Sequence, residues 1–158
     1  GLFHRDVRPG NLFVSDPAGV PTIKVLDIGL SPIVCAPLPV QLTASGIASG
    51  EPEYMSPEHA RGQAHSKSSD IYSLGVVLFE MLTGTPPFRG RSPLLVMHKQ
   101  AASQPPALGQ LDPELGGMPE LNRVLDGCLA KDPSHRFKDM RALIRALEAA
   151  EVRFGAGP

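Results

Sequence analysis

The stretch "IYSLGVVLFEMLTG", residues 71–84, decides the fold, because it is the most apolar segment of the chain. Its apolar residues cover nearly every face of a helix, which is typical of a helix buried in the middle of a soluble domain. The segment is shorter than the roughly 20 residues that a bilayer span needs, and it contains Glu80. The pattern therefore predicts a buried central helix over about 67–83 that stops at Gly84.

Helical patterns also flank this segment on both sides. "SPEHA" (56–60) predicts a short helix capped by Ser56, with Pro57 in its first position. Further helices are predicted over 93–101, 119–130 and the last stretch up to 154, and a Pro- and Gly-rich connector over 103–118. The last helix carries an apolar stripe of four residues, Met140, Leu143, Ile144 and Leu147.

The amino-terminal part has a different pattern. The β-type runs "LFV" (12–14) and "TIKVL" (22–26) enclose the turn-rich "SDPAGVP", which predicts a small hairpin. Residues 31–53 show no sustained period and predict a long irregular loop. The fold class is therefore mostly α, with a minor β element near the amino terminus.

Composition narrows the classes of function. The 158 residues suffice for one domain, and 15 basic against 16 acidic residues leave no broad basic field. We therefore expect no nucleic-acid partner and no membrane segment in this chain. Cys35 and Cys128 lie far apart, which favours two reduced cysteines and a cytoplasmic location.

Three polar residues lie around the predicted hairpin. Asp6 and Asn11 flank a Pro-Gly turn before the first strand, and Asp27 ends the second strand. Adjacent strands would bring Asn11 and Asp27 together as oxygen ligands for Mg²⁺, with Asp6 free to accept a proton. Taken singly, each signal also fits an ordinary turn residue or an ion-paired loop.

Five motifs in order resemble the protein kinase family. "HRDVRPGN" (4–11) looks like the catalytic loop and "DIG" (27–29) like the DFG motif. "SPE" (56–58) resembles the end of the activation segment, "SSDIYSLGVVLFEMLTGTPPF" the buried helix F, and "CLAKDPSHRF" the stretch before the last helix. The sequences of these motifs are most similar to those of bacterial serine/threonine kinases of the eukaryotic type.

The resemblance implies a fold and a domain organisation. Residues 1–150 would be a partial catalytic domain, the carboxy-terminal lobe from the catalytic loop to the last helix, with the amino-terminal lobe outside this chain. Residues 151–158 would begin a linker or tail. The expected cytoplasmic location includes the cytoplasmic part of a larger, membrane-anchored protein.

The resemblance also implies roles for the residues of the catalytic loop. Asp6 would be the catalytic base and Arg8 the contact to the transferred phosphate. Asn11 and Asp27 would bind Mg²⁺ and, through it, ATP. The partners would be ATP and a protein substrate with a Ser or Thr hydroxyl.

Further positions match regulatory and structural residues of the family. Arg5 would pair with a phosphorylated activation loop, in which the candidate phosphosites are Thr43, Ser45 and Ser49. Glu58 and Arg136 would form a buried ion pair, and Asp70 would hold the backbone of the catalytic loop.

Three departures favour a rival hypothesis, a kinase-like pseudoenzyme that acts as a binding scaffold. Arg8 stands where Lys is usual, Ile28 replaces Phe, and Glu51 replaces Thr. A carboxylate at Glu51 would either repel Asp6 or pair with Arg8. His59, His65, His98 and His135 lack metal-like spacing and are expected at the surface or at helix ends.

Overall fold

The computed structural model describes residues 3–28 and 51–154. At the amino terminus, strands β1 (Leu12–Ser15) and β2 (Thr22–Val25) pair antiparallel, with Leu12 opposite Val25 and Ser15 opposite Thr22. A short 3₁₀ turn, Pro17–Gly19, joins them. This confirms the small hairpin predicted from the two β-type runs.

The rest of the described chain is helical. The helices are α1 (Pro57–Ala60), α2 (Lys67–Thr83), α3 (Pro93–Ala102), α4 (Leu108–Leu111), α5 (Pro113–Gly116), α6 (Pro119–Leu129) and α7 (Met140–Phe154). Single 3₁₀ turns lie at Pro9–Asn11, Pro52–Tyr54 and Pro133–His135. The mostly α fold class is confirmed.

The central helix α2 has the bounds that its sequence predicts, because both of its ends are signalled locally. Ser66 caps its first turn by accepting from the Ser68 N–H, while the Ser69 hydroxyl accepts from the Ser66 N–H. Gly84 ends the helix in the left-handed region at φ 77°, where a residue without Cβ is favoured.

The hydrophobic core lies around α2 and α6. Tyr72, Val76 and Cys128 are fully buried, and Leu143 of α7 joins the same cluster. Helix α2 packs against α6 at Gly75, where an added Cβ would lie 2.4 Å from Cβ of Cys128. Burial raises the pKa of Cys128 to about 12, so this thiol is a packing group.

Two expectations about these elements need correction. The predicted connector at 103–118 contains the one-turn helices α4 and α5. In the predicted stripe on α7, Leu143 is buried, but Met140 and Ile144 are exposed because little of the described chain covers that side. Helix α7 runs on to Phe154, where the sequence predicts its end, and the division of the chain at residue 150 stays a prediction.

Candidate active site

The catalytic-loop sequence lies directly before the hairpin. Pro9–Asn11 form a 3₁₀ turn in which the Asn11 N–H donates to the Arg8 carbonyl at 3.0 Å. The Leu26 N–H donates to the Asn11 carbonyl at 2.9 Å, which extends the strand register by one pair. Asn11 is thus fixed opposite Leu26, the neighbour of Asp27, as the hairpin argument predicts.

The buried side chain of Asn11 holds Asp6. Its amide nitrogen donates to the Asp6 carbonyl and to Asp6 Oδ2, both at 2.8 Å. Because the nitrogen is engaged on this side, the amide oxygen is the group that Asn11 can present to a cation. One side chain thereby links the loop backbone, a carboxylate and the start of β1.

Arg8 bridges two carboxylates. Its Nε donates to Asp6 Oδ2 at 3.1 Å, and its Nη1 donates to Glu51 Oε1 at 2.5 Å. The hydrogen bond that Arg8 donates to Asp6 is the main reason why the pKa of Arg8 is raised, so the guanidinium stays positively charged. The sequence left two possibilities for Glu51, repulsion of Asp6 or pairing with Arg8. In the structure, Glu51 pairs with Arg8.

Asp70 on α2 holds the backbone of the catalytic loop. Its Oδ2 accepts from the His4 N–H at 2.7 Å, and its Oδ1 accepts from the Arg5 N–H at 2.9 Å. Arg5 lies in the left-handed region at φ 72°, which is costly for a residue with Cβ. The two hydrogen bonds from the loop to a buried carboxylate hold this strained geometry in place.

The ring of His4 fixes the other side of the loop. Its Nε2 lies 2.8 Å from the Leu26 carbonyl, and its Nδ1 accepts from the Asp6 N–H at 3.3 Å. These partners assign the proton of a neutral ring to Nε2. His4 therefore connects the loop that carries Asp6 to the strand that ends at Asp27.

Asp27 follows β2 with φ 58°, a second left-handed position outside glycine. The next residue, Ile28, is 51% exposed. Among the described residues, no cluster of three or more His, Cys, Asp or Glu side chains could hold a metal ion. An amide oxygen and a carboxylate nevertheless suit Mg²⁺, which usually takes one or two protein ligands and completes its shell with phosphates and water.

Comparison with known proteins agrees with this arrangement. Residues 1–147 match the family described as protein kinase domain. The chain belongs to the protein kinase family. The amide, the carboxylates and the Asp70 anchor described above are therefore parts of a protein kinase domain.

Similar proteins are bacterial. The chain is 39% identical over 152 residues to the serine/threonine-protein kinase PknB of Mycolicibacterium smegmatis, covering 94% of this chain and 23% of that protein. It is 37% identical over 158 residues to a serine/threonine-protein kinase, drp72, of Corynebacterium efficiens, covering 100% of this chain and 28% of that protein. The serine/threonine-protein kinase pkn3 of Myxococcus xanthus is 34% identical over 153 residues, covering 96% of this chain and 28% of that protein. The chain thus spans about a quarter of the length of these relatives.

The base of this kinase domain contains the pair Glu58 and Arg136. Two parallel hydrogen bonds of 2.9 and 2.8 Å join the guanidinium to the carboxylate, and Ser69 donates to Glu58 at 2.6 Å. Burial favours a raised pKa of Glu58, but the hydrogen bonds from Arg136 and Ser69 prevail and lower it to about 2. Arg136 also donates to the carbonyls of Ala130 and Ser68, so both partners are well satisfied.

Of the residues predicted to have a regulatory role, the structure describes Arg5 alone. The guanidinium of Arg5 lies 5.2 Å from the centre of the Phe3 ring, a cation–π contact. The candidate phosphosites Thr43, Ser45 and Ser49 lie outside the described residues. A role of Arg5 toward a phosphorylated loop stays a prediction.

Two histidines form a contact that the sequence analysis missed. His98 and His135 are exposed, as expected, but His59 and His65 are only partly exposed and meet edge-on with ring centres 5.1 Å apart. Nε2 of His65 lies 3.5 Å from Asp70 Oδ1. Their spacing in sequence gives no signal of this pair, because a left-handed turn at Gly62 brings the two rings together.

Across residues 3–28 and 51–154, none of the helices combines the length with the hydropathy that crossing a bilayer requires. The exposure of the hairpin is another feature of the described chain. Phe13, Val14 and Ile23 are each more than half exposed.

Proposed function

We propose that the protein containing this chain transfers the γ-phosphate of ATP to a Ser or Thr hydroxyl of a protein substrate. The observation that carries the proposal is the way in which Asp6 is held. The hydrogen bonds that described residues donate to its carboxylate, from Arg8 and Asn11, both end on Oδ2. This leaves Oδ1 to accept a proton, which is the role of the base in this reaction.

In this mechanism, Asp6 orients the substrate hydroxyl and accepts its proton while the hydroxyl oxygen attacks the γ-phosphorus. The bond from that phosphorus to the leaving oxygen of ADP breaks. Arg8, which lies beside Asp6, stabilises negative charge on the transferred phosphoryl group. Transfer depends mainly on such positioning and charge stabilisation.

Asn11 and Asp27 would hold Mg²⁺ through the amide oxygen and the carboxylate. The ion would supply charge neutralisation for the phosphates of ATP. The contribution of this chain is to fix both donors at the mouth of the hairpin, one through the Asp6 contacts and the other at the end of β2. We keep the cytoplasmic location as a prediction, since ATP-dependent signalling needs access to the nucleotide pool.

The second candidate function is a scaffold without chemistry. The observation that favours it is the ion pair between Arg8 and Glu51, since this carboxylate occupies the guanidinium that would contact phosphate. Asp6, Asn11 and Asp27 favour the enzyme, because a scaffold needs neither a positioned base nor two metal ligands. We therefore place the kinase activity first.

The deciding experiment compares three proteins made from the complete reading frame that encodes this chain: wild type, Asp6→Asn and Asp27→Ala. Single-turnover transfer of radiolabelled phosphate is measured beside the binding of Mg-ATP. We expect both substitutions to abolish transfer, but only Asp27→Ala to weaken Mg-ATP binding, because Asp6 positions the hydroxyl and does not hold the metal.

The matched control is Asp126→Asn, an exposed carboxylate on α6 away from the loop, which should transfer as the wild type does. Background transfer by wild type that binds Mg-ATP normally would refute the enzyme and leave the scaffold. For the 158-residue chain by itself, we expect background transfer, because ATP is gripped in kinases by elements such as a Gly-rich loop and a VAIK lysine that its sequence lacks.

A further inference from the structure

The contact between His59, His65 and Asp70 connects three parts of the described chain. His59 lies at the end of α1, His65 in the turn before α2, and Asp70 in the first turn of α2. The Asp70 carboxylate in turn receives the backbone N–H groups of His4 and Arg5. A change of charge at the histidines therefore reaches the residue next to Asp6 through one carboxylate.

One ring nitrogen of His65 is poorly satisfied. Its Nε2 is buried and has no hydrogen-bond partner among residues 3–28 and 51–154, because 3.5 Å is an ion-pair distance to Asp70 Oδ1 and too long for a good hydrogen bond. A buried nitrogen without a partner costs free energy. With a proton on both ring nitrogens, His65 is a cation whose Nε2–H faces a carboxylate, and a hydrogen bond between such charged partners is shorter and stronger than the one that a neutral ring with its proton on Nε2 would donate.

His59 cannot take this proton as easily. Burial, and then the nearby His65, lower the pKa of His59, although Glu58 and Asp6 act in the opposite direction. Among the described residues, the charged or titratable groups that act on His59 or His65 are Asp70 on α2, Glu58 on α1, Asp6 in the catalytic loop and the neighbouring imidazole. Two charged rings 5.1 Å apart repel each other, and His65 is the ring of the pair that faces Asp70.

We propose that His65 is a positioning residue: when protonated, it anchors Asp70 and thereby fixes the backbone of the catalytic loop at His4 and Arg5. The effect falls on Arg5, whose left-handed φ of 72° needs the hydrogen bond to Asp70 Oδ1, the same oxygen that faces His65. A fixed Arg5 holds Asp6, the next residue. The consequence for phosphoryl transfer rests on the proposed function, whereas the proton linkage does not.

The test follows the histidine rings and the Arg5 amide by NMR in the product of the complete reading frame between about pH 5.5 and 8, the range in which histidines change charge. In wild type, we expect the Arg5 amide to titrate with the same midpoint as the His65 ring. In His65→Gln, the Arg5 titration should disappear. Different midpoints in wild type, or an Arg5 titration that persists in the variant, would overturn the proposal.

A stability measurement with the same variants gives a second readout. The unfolding equilibrium constant of His65→Gln relative to wild type should be larger at about pH 5.5 than at about pH 8, because the proposed contact of the protonated ring with Asp70 is missing in the variant. His98→Gln, which removes an exposed histidine of α3, is the matched control and should show the same ratio at both pH values. A ratio of unfolding constants that does not change with pH for His65→Gln would also overturn the proposal. If that variant does not fold, the wild-type NMR titration tests the proposal by itself.

The product of the complete reading frame extends the test to the reaction. The transfer rate of His65→Gln relative to wild type should fall as the pH is lowered, while His98→Gln keeps a constant ratio. If the Arg5 titration depends on His65 but wild type transfers no phosphate, the proposed function fails and the proton linkage stands. If wild type transfers phosphate with no such dependence, the linkage fails by itself.

Discussion

At the residue scale, the ion pair of Arg8 and Glu51 determines whether the guanidinium of Arg8 is available for the proposed contact with phosphate. Arg8 donates to two carboxylates, so a phosphoryl group would have to compete with Glu51 for the guanidinium. Glu51 is half exposed, and an exposed ion pair contributes about 0–1 kcal/mol to stability, which keeps this competition weak. We therefore expect the departure from Thr at this position to weaken the proposed contact of Arg8 with phosphate without abolishing it.

We predict that Glu51→Thr raises phosphoryl transfer by the product of the complete reading frame or leaves it unchanged. The substitution removes a carboxylate that occupies Arg8, and the thermal stability should change little. Single-turnover rates at saturating Mg-ATP measure the effect of Glu51→Thr. The control is Glu53→Thr, which removes the acidic side chain two residues further along the chain. A rate that falls with Glu51→Thr and not with Glu53→Thr would contradict the prediction.

The buried pair of Glu58 and Arg136 gives a prediction about stability. Arg136→Ala should lower the free energy of unfolding by about 3–5 kcal/mol, because Glu58 is left charged and buried without its partner. Arg123→Ala, which removes a 75% exposed guanidinium 3.7 Å from Glu120, is the control and should change it by less than about 1 kcal/mol. Urea denaturation at neutral pH measures both, and similar losses for the two variants would refute the argument.

The sequence indicated which residues would lie at the site more reliably than it indicated their contacts. Asn11 could be placed near Asp27 because strand pairing follows from a short turn between two β-type runs. The partner of Glu51 could not be chosen, because it depends on where a distant segment of the chain returns to the loop. The contact of His59 with His65 could not be foreseen, since it arises from the path of a turn and not from a periodic pattern.

At the element scale, the close approach of α2 and α6 depends on Gly75. Alanine is the better helix former by up to about 1 kcal/mol, but its Cβ would lie 2.4 Å from Cβ of Cys128. Both atoms are fixed to their backbones, so the helices must separate. We predict a net loss of about 1–3 kcal/mol for Gly75→Ala in urea denaturation. Gly117→Ala is the control, because its new Cβ meets ordinary contact at 3.4 Å, and a loss as large as that of Gly75→Ala would contradict the packing argument.

Lys131 joins α2 and α3 and gives a prediction about pH. Its Nζ donates to Tyr72 Oη at 2.8 Å and to the Gln100 carbonyl at 2.9 Å. Burial, and then Arg136 and Arg61, lower the pKa of Lys131 to about 7. The rings of Phe88 and Tyr72, 4.2 and 5.2 Å from Nζ, favour the charged amine, but these two ring contacts are weaker than burial beside two arginines.

Because the folded chain binds the Lys131 proton less tightly than the unfolded chain, the free energy of unfolding should rise with pH between about 7 and 10. Lys131→Met, which keeps an unbranched apolar stem, should flatten this rise. Urea denaturation at several pH values in this range is the measurement, and Lys138→Met at an exposed position serves as the control. An equal slope in wild type and Lys131→Met would show that this amine stays charged in the fold.

The sequence predicted the elements where capping and hydrophobic signals were local, as at both ends of α2. It missed α4 and α5, because Gly and Pro lower helix propensity and the two turns depend on packing against each other. At Gly109 and Gly116, a Cβ added to either residue would lie within 2.9 Å of Cα of the other. Such tertiary contacts override propensity and leave no periodic pattern in the sequence.

At the scale of the whole molecule, the helices share one hydrophobic core, and the hairpin lies outside that core. One face of the hairpin presents four apolar side chains, since Leu12 and Val25 are paired and Val14 lies opposite Ile23. Val14 is 64% exposed and Ile23 is 62% exposed. A lone two-stranded hairpin is marginal, and exposed apolar strands with open edges pair readily with other chains.

We predict that the 158-residue chain self-associates at micromolar concentration through this face and binds hydrophobic dyes. The double variant Val14→Thr and Ile23→Thr should shift it toward monomer, because threonine keeps the β-branched shape that suits a strand while adding a hydroxyl to each side chain. Met81→Thr is the control, since Met81 is 75% exposed on α2 and lies outside the hairpin. Sedimentation velocity measures the oligomeric state of the three proteins. A monomeric wild type without dye binding would refute the prediction. An equal shift toward monomer with Met81→Thr would also refute it, because exposure of any single apolar residue would then explain the association as well as the hairpin face does.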